Sequence, residues 1–481
     1  MFAQHWWCIA ALARRFVVAV VAVLSLISAP ALYAAEEYTR SVTLSSSSGA
    51  VMSAQALVDE ALRANPGITA LEAAIQGAEA RIVQSTALPD PQLLTAVAPD
   101  TIGGYNSPNG RGSNVRVELT QTLPWLGKLR LRGDAATKTA EAERGNLALR
   151  RLELRTVALS YYAQWNYIHQ AITINERNST LVDELRRVAE ARYAAGITNQ
   201  PDVLLAEVEL QHIRHRSVQL RRQMATLRAQ INTLLNRSTT ADIALSNALP
   251  PPTAIPDFDT LRLIALSQHP GLAAAKQQIA ASRDREKLAD KDFYPDFKLF
   301  TGYNSLWDET AKRWVVGIGI NLPLGRDKYR AARDESRANT VGRQSELDEL
   351  RSQVLGDLEE ARVLVNEALH TIALYEHDLL PRTAENLSAT RAAYGAGGGR
   401  FSELISAEQV HLDAELQKPH LRTRSADRWP YPKLASITPT WRRVKIALPQ
   451  KSNQIPPRST PNETAIACQY HYYFSRDFKL F

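Results

Sequence analysis

The chain contains the stretch Leu57-Val-Asp-Glu-Ala-Leu-Arg-Ala-Asn-Pro66-Gly67, and 204 residues later it contains Leu261-Arg-Leu-Ile-Ala-Leu-Ser-Gln-His-Pro270-Gly271. Three further pairs follow in the same order at nearly constant spacing: Leu88–Thr95 with Tyr294–Thr301, Thr122–Pro124 with Asn321–Pro323, and Tyr193–Gly196 with Tyr394–Gly397. Self-similarity at a fixed period indicates a repeated structural unit. We therefore predict a first repeat over residues 53–236 and a second over residues 261–417, joined by a linker over 237–260.

The first 34 residues have the pattern of a secretory signal peptide. Arg14 and Arg15 precede an apolar run from Phe16 to Ile27, which small residues follow. This run is too short to span a bilayer, so we predict that residues 1–34 are cleaved and that a Ser-rich leader over 35–52 follows. Cys8 lies before the apolar run, and we expect no lipid anchor there. The other cysteine, Cys468, would then have no partner for an internal disulfide.

The basic charge of the chain is concentrated in its last segment. The formal net charge is +7, yet residues 418–481 alone hold 12 Lys and Arg against 3 Asp and Glu. Residues 1–417 are nearly neutral, with 45 basic and 47 acidic residues, so we expect no nucleic acid partner. The last segment also contains eight prolines and no helical period. We predict that residues 418–481 form an atypical, Pro-rich, disordered tail.

Two pairs of strand-like segments, one pair in each repeat, indicate where the protein resides. The pairs are Gln92–Ala98 with Asn114–Leu123, and Phe297–Asn304 with Trp314–Leu322. Asn114–Leu123 alternates apolar and polar side chains, and apolar residues of Trp314–Leu322 alternate with glycine and asparagine. Strands of about nine residues with one apolar face have the length that a tilted strand needs to cross a bilayer. A sheet in lipid has to close, and four strands cannot close, whereas three copies supply twelve strands and an open lumen. We therefore predict a homotrimer; the alternative is a soluble protein with two exposed hairpins.

Each hairpin (residues 92–123 and 297–322) precedes a helix of unusual length. No proline occurs between Pro124 and Pro201, and apolar residues recur every three or four positions. A helix from Lys128 to Ala195 would be roughly 100 Å long, too long for a globular domain. It would open a helical hairpin over 128–236, matched in the second repeat by one over 324–417 that Pro381 is expected to kink. A single helix from Ser53 to about Ala87 is predicted before the first hairpin.

Taken together, these features resemble the TolC-type outer-membrane efflux factors, and most of all their heavy-metal branch, which serves cobalt-zinc-cadmium or copper-silver resistance pumps. The resemblance is carried by the duplication, the paired hairpins, the stretch Gln121-Thr-Leu-Pro-Trp-Leu-Gly-Lys128, and the helix breaks at Tyr193–Leu204 and Tyr394–Leu404. It implies a mainly α fold with a small β part. Long coiled-coil helices and two β-hairpins per chain would form a trimeric 12-strand outer-membrane barrel continued by a periplasmic α-helical tunnel.

The resemblance implies a passive export conduit without a cofactor, not an enzyme. The homotrimer would lie in outer-membrane lipid and dock a periplasmic adaptor (membrane fusion) protein, which joins it to an inner-membrane, proton-driven RND-type pump. The expected cargo is heavy-metal cations. Drug efflux and type I protein secretion remain alternative functions of the same family.

The resemblance also implies that the two helix breaks are functional tips. Residues at the tunnel entrance would control gating and selectivity: Asp202, Tyr394, Arg400 and Glu403. Other residues of the breaks would dock the adaptor: Tyr193, Gly196, Ile197, Gly397, Gly398 and Gly399. The chain departs from the family at Gly399, where some members carry an arginine that locks the closed tip, and at Ser406, where a second acidic ring can occur.

Glu403 has two interpretations. Threefold symmetry would bring three Glu403 carboxylates to a narrow mouth, where they would attract cations and repel anions. Alternatively, Glu403 only stabilises the first turn of the returning helix through the helix dipole.

A competing hypothesis is a di-metal carboxylate enzyme. Glu-x-x-His pairs place two ligands on one helix face, as in di-iron bundles, and the chain has three of them: Glu209/His212, Glu367/His370 and Glu408/His411. The pairs do not occupy equivalent positions in the two repeats, and such an enzyme has no use for strand hairpins. We therefore favour solvated helix faces over a metal centre. A third class, a purely structural periplasmic coiled coil, also remains open.

Overall fold

A computed structural model describes residues 51–98, 114–247, 257–305 and 310–428. The predicted signal peptide, nearly all of the Ser-rich leader and the tail beyond Arg428 lie outside these ranges, and so does part of the linker. The described residues form long helices and one small sheet.

The strands lie where the sequence predicts them. They are β1 (Gln92–Ala98), β2 (Asn114–Leu123), β3 (Phe297–Asn304) and β4 (Trp314–Ile320), so only β4 ends earlier than expected. All four belong to one antiparallel sheet in the order β1-β2-β3-β4. The central pair, β2 and β3, joins the two repeats in the register Leu123↔Phe297 to Arg116↔Asn304. Within the described ranges, β1 and β4 each have one edge without a neighbouring strand.

The helices give the molecule its length. Their bounds are α1 (Ala54–Ala64), α2 (Pro66–Thr86), α3 (Lys128–Ala194), α4 (Gln200–Leu234), α5 (Phe258–Gln268), α6 (Pro270–Lys291), α7 (Arg326–Leu374), α8 (Leu380–Gly395) and α9 (Phe401–Arg428). The 67 residues of α3 are one uninterrupted helix, as its apolar period and lack of proline predict. None of the described helices offers the long apolar stretch that a bilayer crossing requires.

Helix α3 is the central element of the bundle. It packs against α2, α4, α6 and α9 along its length. Helix α4 contributes a row of buried residues that recur every three to seven positions: Leu210, Ile213, Leu220, Leu227, Ile231 and Leu234. The largest core cluster lies where α1, α3 and α4 meet, around Leu57, Trp165 and Ile231.

The helix predicted from Ser53 to about Ala87 is two helices, so that prediction is wrong. The break lies at Asn65, because Pro66 disfavours helical backbone at the residue before it. Asn65 adopts an extended conformation and its side chain accepts a hydrogen bond from the Gly67 N–H at 3.0 Å, which caps α2.

The disordered tail predicted from residue 418 is contradicted at its first residues, which are helical. Helix α9 continues through Pro419 to Arg428. Leu421 and Thr423 are buried, and the Thr423 hydroxyl donates to the Ala163 carbonyl of α3 at 3.1 Å. Residues 418–428 therefore belong to the helical bundle, and the prediction of disorder is wrong for them. Near the other proline of interest, Pro381, a π-helical turn over Tyr375–Leu379 interrupts the regular helix between α7 and α8.

Candidate functional site

The two helix breaks end their long helices with the same cap. Gly196 and Gly397 have φ angles of +72° and +89°, in the left-handed region. Their N–H groups donate to the carbonyls of Tyr193 at 2.9 Å and Tyr394 at 3.1 Å. The next N–H in each break reaches one residue further back, from Ile197 to Arg192 at 2.9 Å and from Gly398 to Ala393 at 3.1 Å. This is the Schellman motif, which favours glycine at its left-handed position.

The outer surface of both breaks is exposed. Tyr193 and Ile197 are 48% and 65% exposed at the first break, and Gly397 and Gly398 are exposed at the second. Gly399 differs, because its backbone lies against the end of α8. A Cβ at this position would lie 3.0 Å from the Tyr394 nitrogen. A larger residue here would require a shift of the backbone, which gives a local reason for the glycine.

Tyr394 is not on the surface but in the core between the two breaks. It is 5% exposed, and its ring lies 5.3 Å from the ring of Phe401. The Arg192 guanidinium of the first repeat lies over the Tyr394 ring, 4.6 Å from its centroid. Arg192 also donates a hydrogen bond to the Tyr394 carbonyl. Tyr394 therefore holds the second break against the first.

The Tyr394 hydroxyl lies close to the start of α4. Burial raises the pKa of this hydroxyl; the Arg192 charge opposes the rise, and the Asp202 carboxylate adds to it. The hydroxyl oxygen is buried and makes no hydrogen bond of good geometry with any described residue. Asp202 accepts a hydrogen bond from the Thr198 hydroxyl, which fixes the first turn of α4. We call Arg192, Thr198, Asp202, Tyr394 and Phe401 the tip cluster.

Arg400 and Glu403 lie outside this cluster, on the surface. Arg400 Nε donates to Glu403 Oε1 at 2.9 Å, and the two side chains are 82% and 51% exposed. The Glu403 carboxylate is therefore paired with a cation of its own chain. An exposed pair of this kind contributes little stability, so it can exchange with other partners.

The structure adds residues that the sequence did not identify. Arg192 and Thr198 complete the tip cluster, yet neither is part of a recognised motif. A signal for Arg192 does exist, since it is the basic residue in the last turn of α3, a position that favours cations. Its contact with Tyr394, about two hundred residues away, is not visible in any local pattern.

The Glu-x-x-His pairs do not come together as a metal centre. Glu367 lies 3.9 Å from Arg424, and His411 contacts Thr383 at 3.0 Å. Glu209 accepts a hydrogen bond from Gln409 at 2.6 Å. In the part of the chain that the structure describes, no three side chains of the kinds that bind metals converge.

A second contact between the repeats lies where strands and helices meet. Lys128 is 3% exposed, and its Nζ lies 2.9 Å from Asp296 Oδ1 and 3.2 Å from Asp292 Oδ1. The Trp125 N–H also donates to Asp296 Oδ1 at 2.8 Å, and the Trp125 ring stacks on Tyr294 at 5.1 Å. We call these five residues the junction. The stretch Gln121–Lys128 thus ends in a lysine whose buried ammonium pairs with two carboxylates of the second repeat.

Solved structures share this architecture. The chain is 20% identical to the outer-membrane channel OprN, with a TM-score of 0.66, over 79% of this chain and 89% of OprN. It is 17% identical to the outer membrane protein VceC from Vibrio cholerae, with a TM-score of 0.67, over 80% of this chain and 95% of VceC.

Sequence comparison extends the likeness to function. The cobalt-zinc-cadmium resistance protein CzcC of Cupriavidus metallidurans is 21% identical over 369 residues, which are 76% of this chain and 84% of CzcC. A family model described as outer membrane efflux protein matches residues 57–237 and 261–429, which include both repeats. Since these two stretches make up most of the sequence, the chain belongs to the outer membrane efflux protein family.

Proposed function

We propose that three copies of this outer-membrane efflux protein close into one export channel, and that its cargo is heavy-metal cations. The observation that carries the proposal is the open sheet. Within the described ranges β1 and β4 each lack a neighbour on one edge. Apolar side chains of these two strands are strongly exposed: Leu93 68%, Val97 59%, Val316 84% and Ile318 71%.

A single copy of this sheet is unstable both in water and in lipid. In water its apolar face is exposed, and in lipid its edges leave backbone groups unsatisfied. Pairing β4 of one copy with β1 of the next satisfies both edges. Three copies give a twelve-stranded barrel wide enough for a lumen, with the helices continuing it as a tunnel into the periplasm.

The exposed surface of the two helix breaks supports a periplasmic adaptor as the partner of the channel. Tyr193, Ile197 and the glycines at 397 and 398 form an accessible surface that a periplasmic adaptor could contact. In this proposal the adaptor connects the tunnel to an inner-membrane RND-type pump, and the tip cluster behind that surface controls the entrance.

Two features support a cationic cargo. The relative CzcC is named for resistance to cobalt, zinc and cadmium, and the match includes 84% of it. Glu403 supplies one exposed carboxylate per copy near the entrance, paired with Arg400 at 2.7 Å. Release of Arg400 would leave three carboxylates to attract cations.

Deletion and complementation test the proposed cargo. A strain without the gene should become sensitive to zinc, cobalt and cadmium, and the full chain should restore resistance. Sensitivity to antibiotics alone would contradict a metal cargo and favour drug efflux. The trimer is tested separately, because the protein extracted from outer membranes should run as a heat-dissociable trimer, and a detergent-free monomer would contradict the channel.

Selectivity of the reconstituted channel provides a sharper test of Glu403. Glu403→Gln should reduce the preference for cations over anions, measured as a reversal potential across a salt gradient. Glu207→Gln is a matched control on an exposed position of α4. An unchanged reversal potential in Glu403→Gln would mean that Glu403 only stabilises the start of α9.

A further inference from the structure

The middle of α9 contains a buried carboxyl group that plays no part in the tip cluster. Glu408 is 1% exposed, and neither of its side-chain oxygens makes a hydrogen bond of good geometry with a described residue. Glu209 of α4 is 7% exposed and acts electrostatically on Glu408. Burying an ionised carboxylate without partners is costly, and a second carboxylate nearby adds to the cost.

The groups around Glu408 do not neutralise it. Helix α3 presents Asn178, which is polar but uncharged, and its amide nitrogen also makes no hydrogen bond of good geometry. Helix α4 presents Glu209 and Arg216, and α9 itself presents Asp413. Arg216 lies 3.6 Å from Asp413, and its charge lowers the pKa of Glu408, but it makes no ion pair with Glu408.

The neighbouring polar groups on α9 have partners of their own. His411, one turn further along, contacts Thr383 of α8 at 3.0 Å and Glu415 at 3.6 Å. Glu415 also pairs with Arg177 of α3. Among these carboxyl groups, Glu408 is therefore the one without a hydrogen bond of good geometry or an ion pair to a described residue.

The balance of these effects favours the neutral acid. Burial first, and then the charges of Glu209 and Asp413, raise the pKa of Glu408 to about 7, against the opposing effects of Asn178 and Arg216.

We propose that Glu408 carries a proton in the packed state, and that loss of this proton loosens α9 from α3 and α4. Glu408 lies two helical turns after Phe401, the first residue of α9 and a member of the tip cluster. Because Glu408 and Phe401 lie on the same helix, loosening of α9 at Glu408 also loosens its contacts in the tip cluster. The contacts lie within a single chain and are independent of the proposed cargo.

The direction of the pH effect follows from linkage. The pKa of Glu408 lies above its ordinary value of 4.5, so the packed state binds a proton that the loosened state releases. The proton therefore stabilises the packed state fully below pH 4.5. This stabilisation falls as the pH rises toward about 7, and it stays low at higher pH. Between pH 5 and pH 8 we expect the opening equilibrium of this part of α9 to increase on the order of tens-fold.

Hydrogen exchange of the full-length protein in detergent tests the proposal. After correction for the intrinsic pH dependence of exchange, amides of residues 401–416 should lose protection between pH 5 and pH 8. Glu408→Gln, which mimics the protonated acid, should keep them protected at pH 8. The exposed Glu207→Gln should behave like the unmodified chain. Equal protection at both pH values, or an undiminished pH effect in Glu408→Gln, would overturn the proposal.

Infrared spectroscopy detects the protonated carboxyl group of Glu408 directly. At pH 6 ordinary carboxyl groups are ionised, so the carbonyl band of a protonated carboxylic acid should come from Glu408, disappear by pH 8 and be absent in Glu408→Gln. Glu209→Gln should move this titration to lower pH, because it removes a neighbouring negative charge. A missing band at pH 6, or one that persists in Glu408→Gln, would refute a protonated Glu408 whether or not the protein is a channel.

Discussion

The junction and the tip cluster both join the first repeat to the second, but they do so with different chemistry. At the junction, the Lys128 ammonium is 3% exposed and lies within 3.2 Å of two carboxylates. At the tip cluster, the Arg192 guanidinium is half-buried and lies over the Tyr394 ring at 4.6 Å. The junction is fixed by a buried charge, and the tip by a cation above a ring.

This difference indicates which connection can rearrange. Removing one partner of a buried ion pair leaves an uncompensated charge, which costs about 3–5 kcal/mol. A cation over an aromatic ring contributes only about 0.5–1 kcal/mol when partly exposed, and one hydrogen bond to a charged group about 1.5–3 kcal/mol. We infer that the junction stays closed while the tip opens, as an export channel requires.

The largest effect is expected at the junction. Asp296→Ala removes a partner of Lys128 and the acceptor of the Trp125 N–H. Asp292 remains beside Lys128 and Asp296 is 28% exposed, so we expect the lost ion pair and the lost Trp125 hydrogen bond together to lower the free energy of unfolding in detergent by about 3 kcal/mol. Asp290→Ala, at an exposed position nearby, is the control. Equal stability of the two variants would mean that the buried pair does not hold the junction.

A smaller and local effect is expected at the tip cluster. Arg192→Met removes the contact with the Tyr394 ring and the hydrogen bond to its carbonyl, together worth about 2 kcal/mol. Opening of the tip should increase about thirtyfold, measured as faster trypsin cleavage at Arg400, while the global unfolding free energy stays the same. The control is Arg187→Met, which removes an arginine that is 70% exposed. A lower global free energy of unfolding in Arg192→Met would contradict the proposed difference between the tip cluster and the junction.

The smallest effect is expected at the caps. Gly397→Ala places a side chain at a φ of +89°, which costs about 1 kcal/mol. Gly398→Ala is the matched control, because a Cβ there meets nothing within 4 Å. Exchange of the Gly398 N–H, which is bonded to the Ala393 carbonyl, should speed up only when position 397 is changed. Similar exchange in both variants would show that the cap does not depend on the left-handed glycine.

Much of the fold could be predicted because its signals are local. Alternating apolar residues locate β2 and β4, and the 3.6-residue period without proline locates α3. The wrong predictions concern prolines, whose effect depends on what surrounds them. Pro66 divides a helix, whereas Pro419 lies within α9, where burial of Leu421 and Thr423 compensates for its missing hydrogen bond.

The candidate site was harder to predict because it depends on distant contacts. Resemblance to a family identified Tyr394 and Asp202, and the structure brings them together. The resemblance did not predict that Tyr394 is buried under Arg192, or that Glu403 is paired with Arg400. Glu408 was recognised only as part of a Glu-x-x-His pattern, and its burial beside Glu209 depends on how α4 and α9 pack.

The central claim, that the repeats separate at the tip while the junction holds, is tested most directly by distances between spin labels. One label pair would replace Ile197 and Ser402 at the tip, and another would replace Leu126 and Asp290 near the junction, all exposed positions. The native cysteines would be changed to serine, and labelled copies diluted with unlabelled ones. We predict that Arg192→Met lengthens and broadens the tip distances and leaves a single, narrow junction distance. Junction distances that change together with those at the tip, or tip distances that do not respond, would contradict the account.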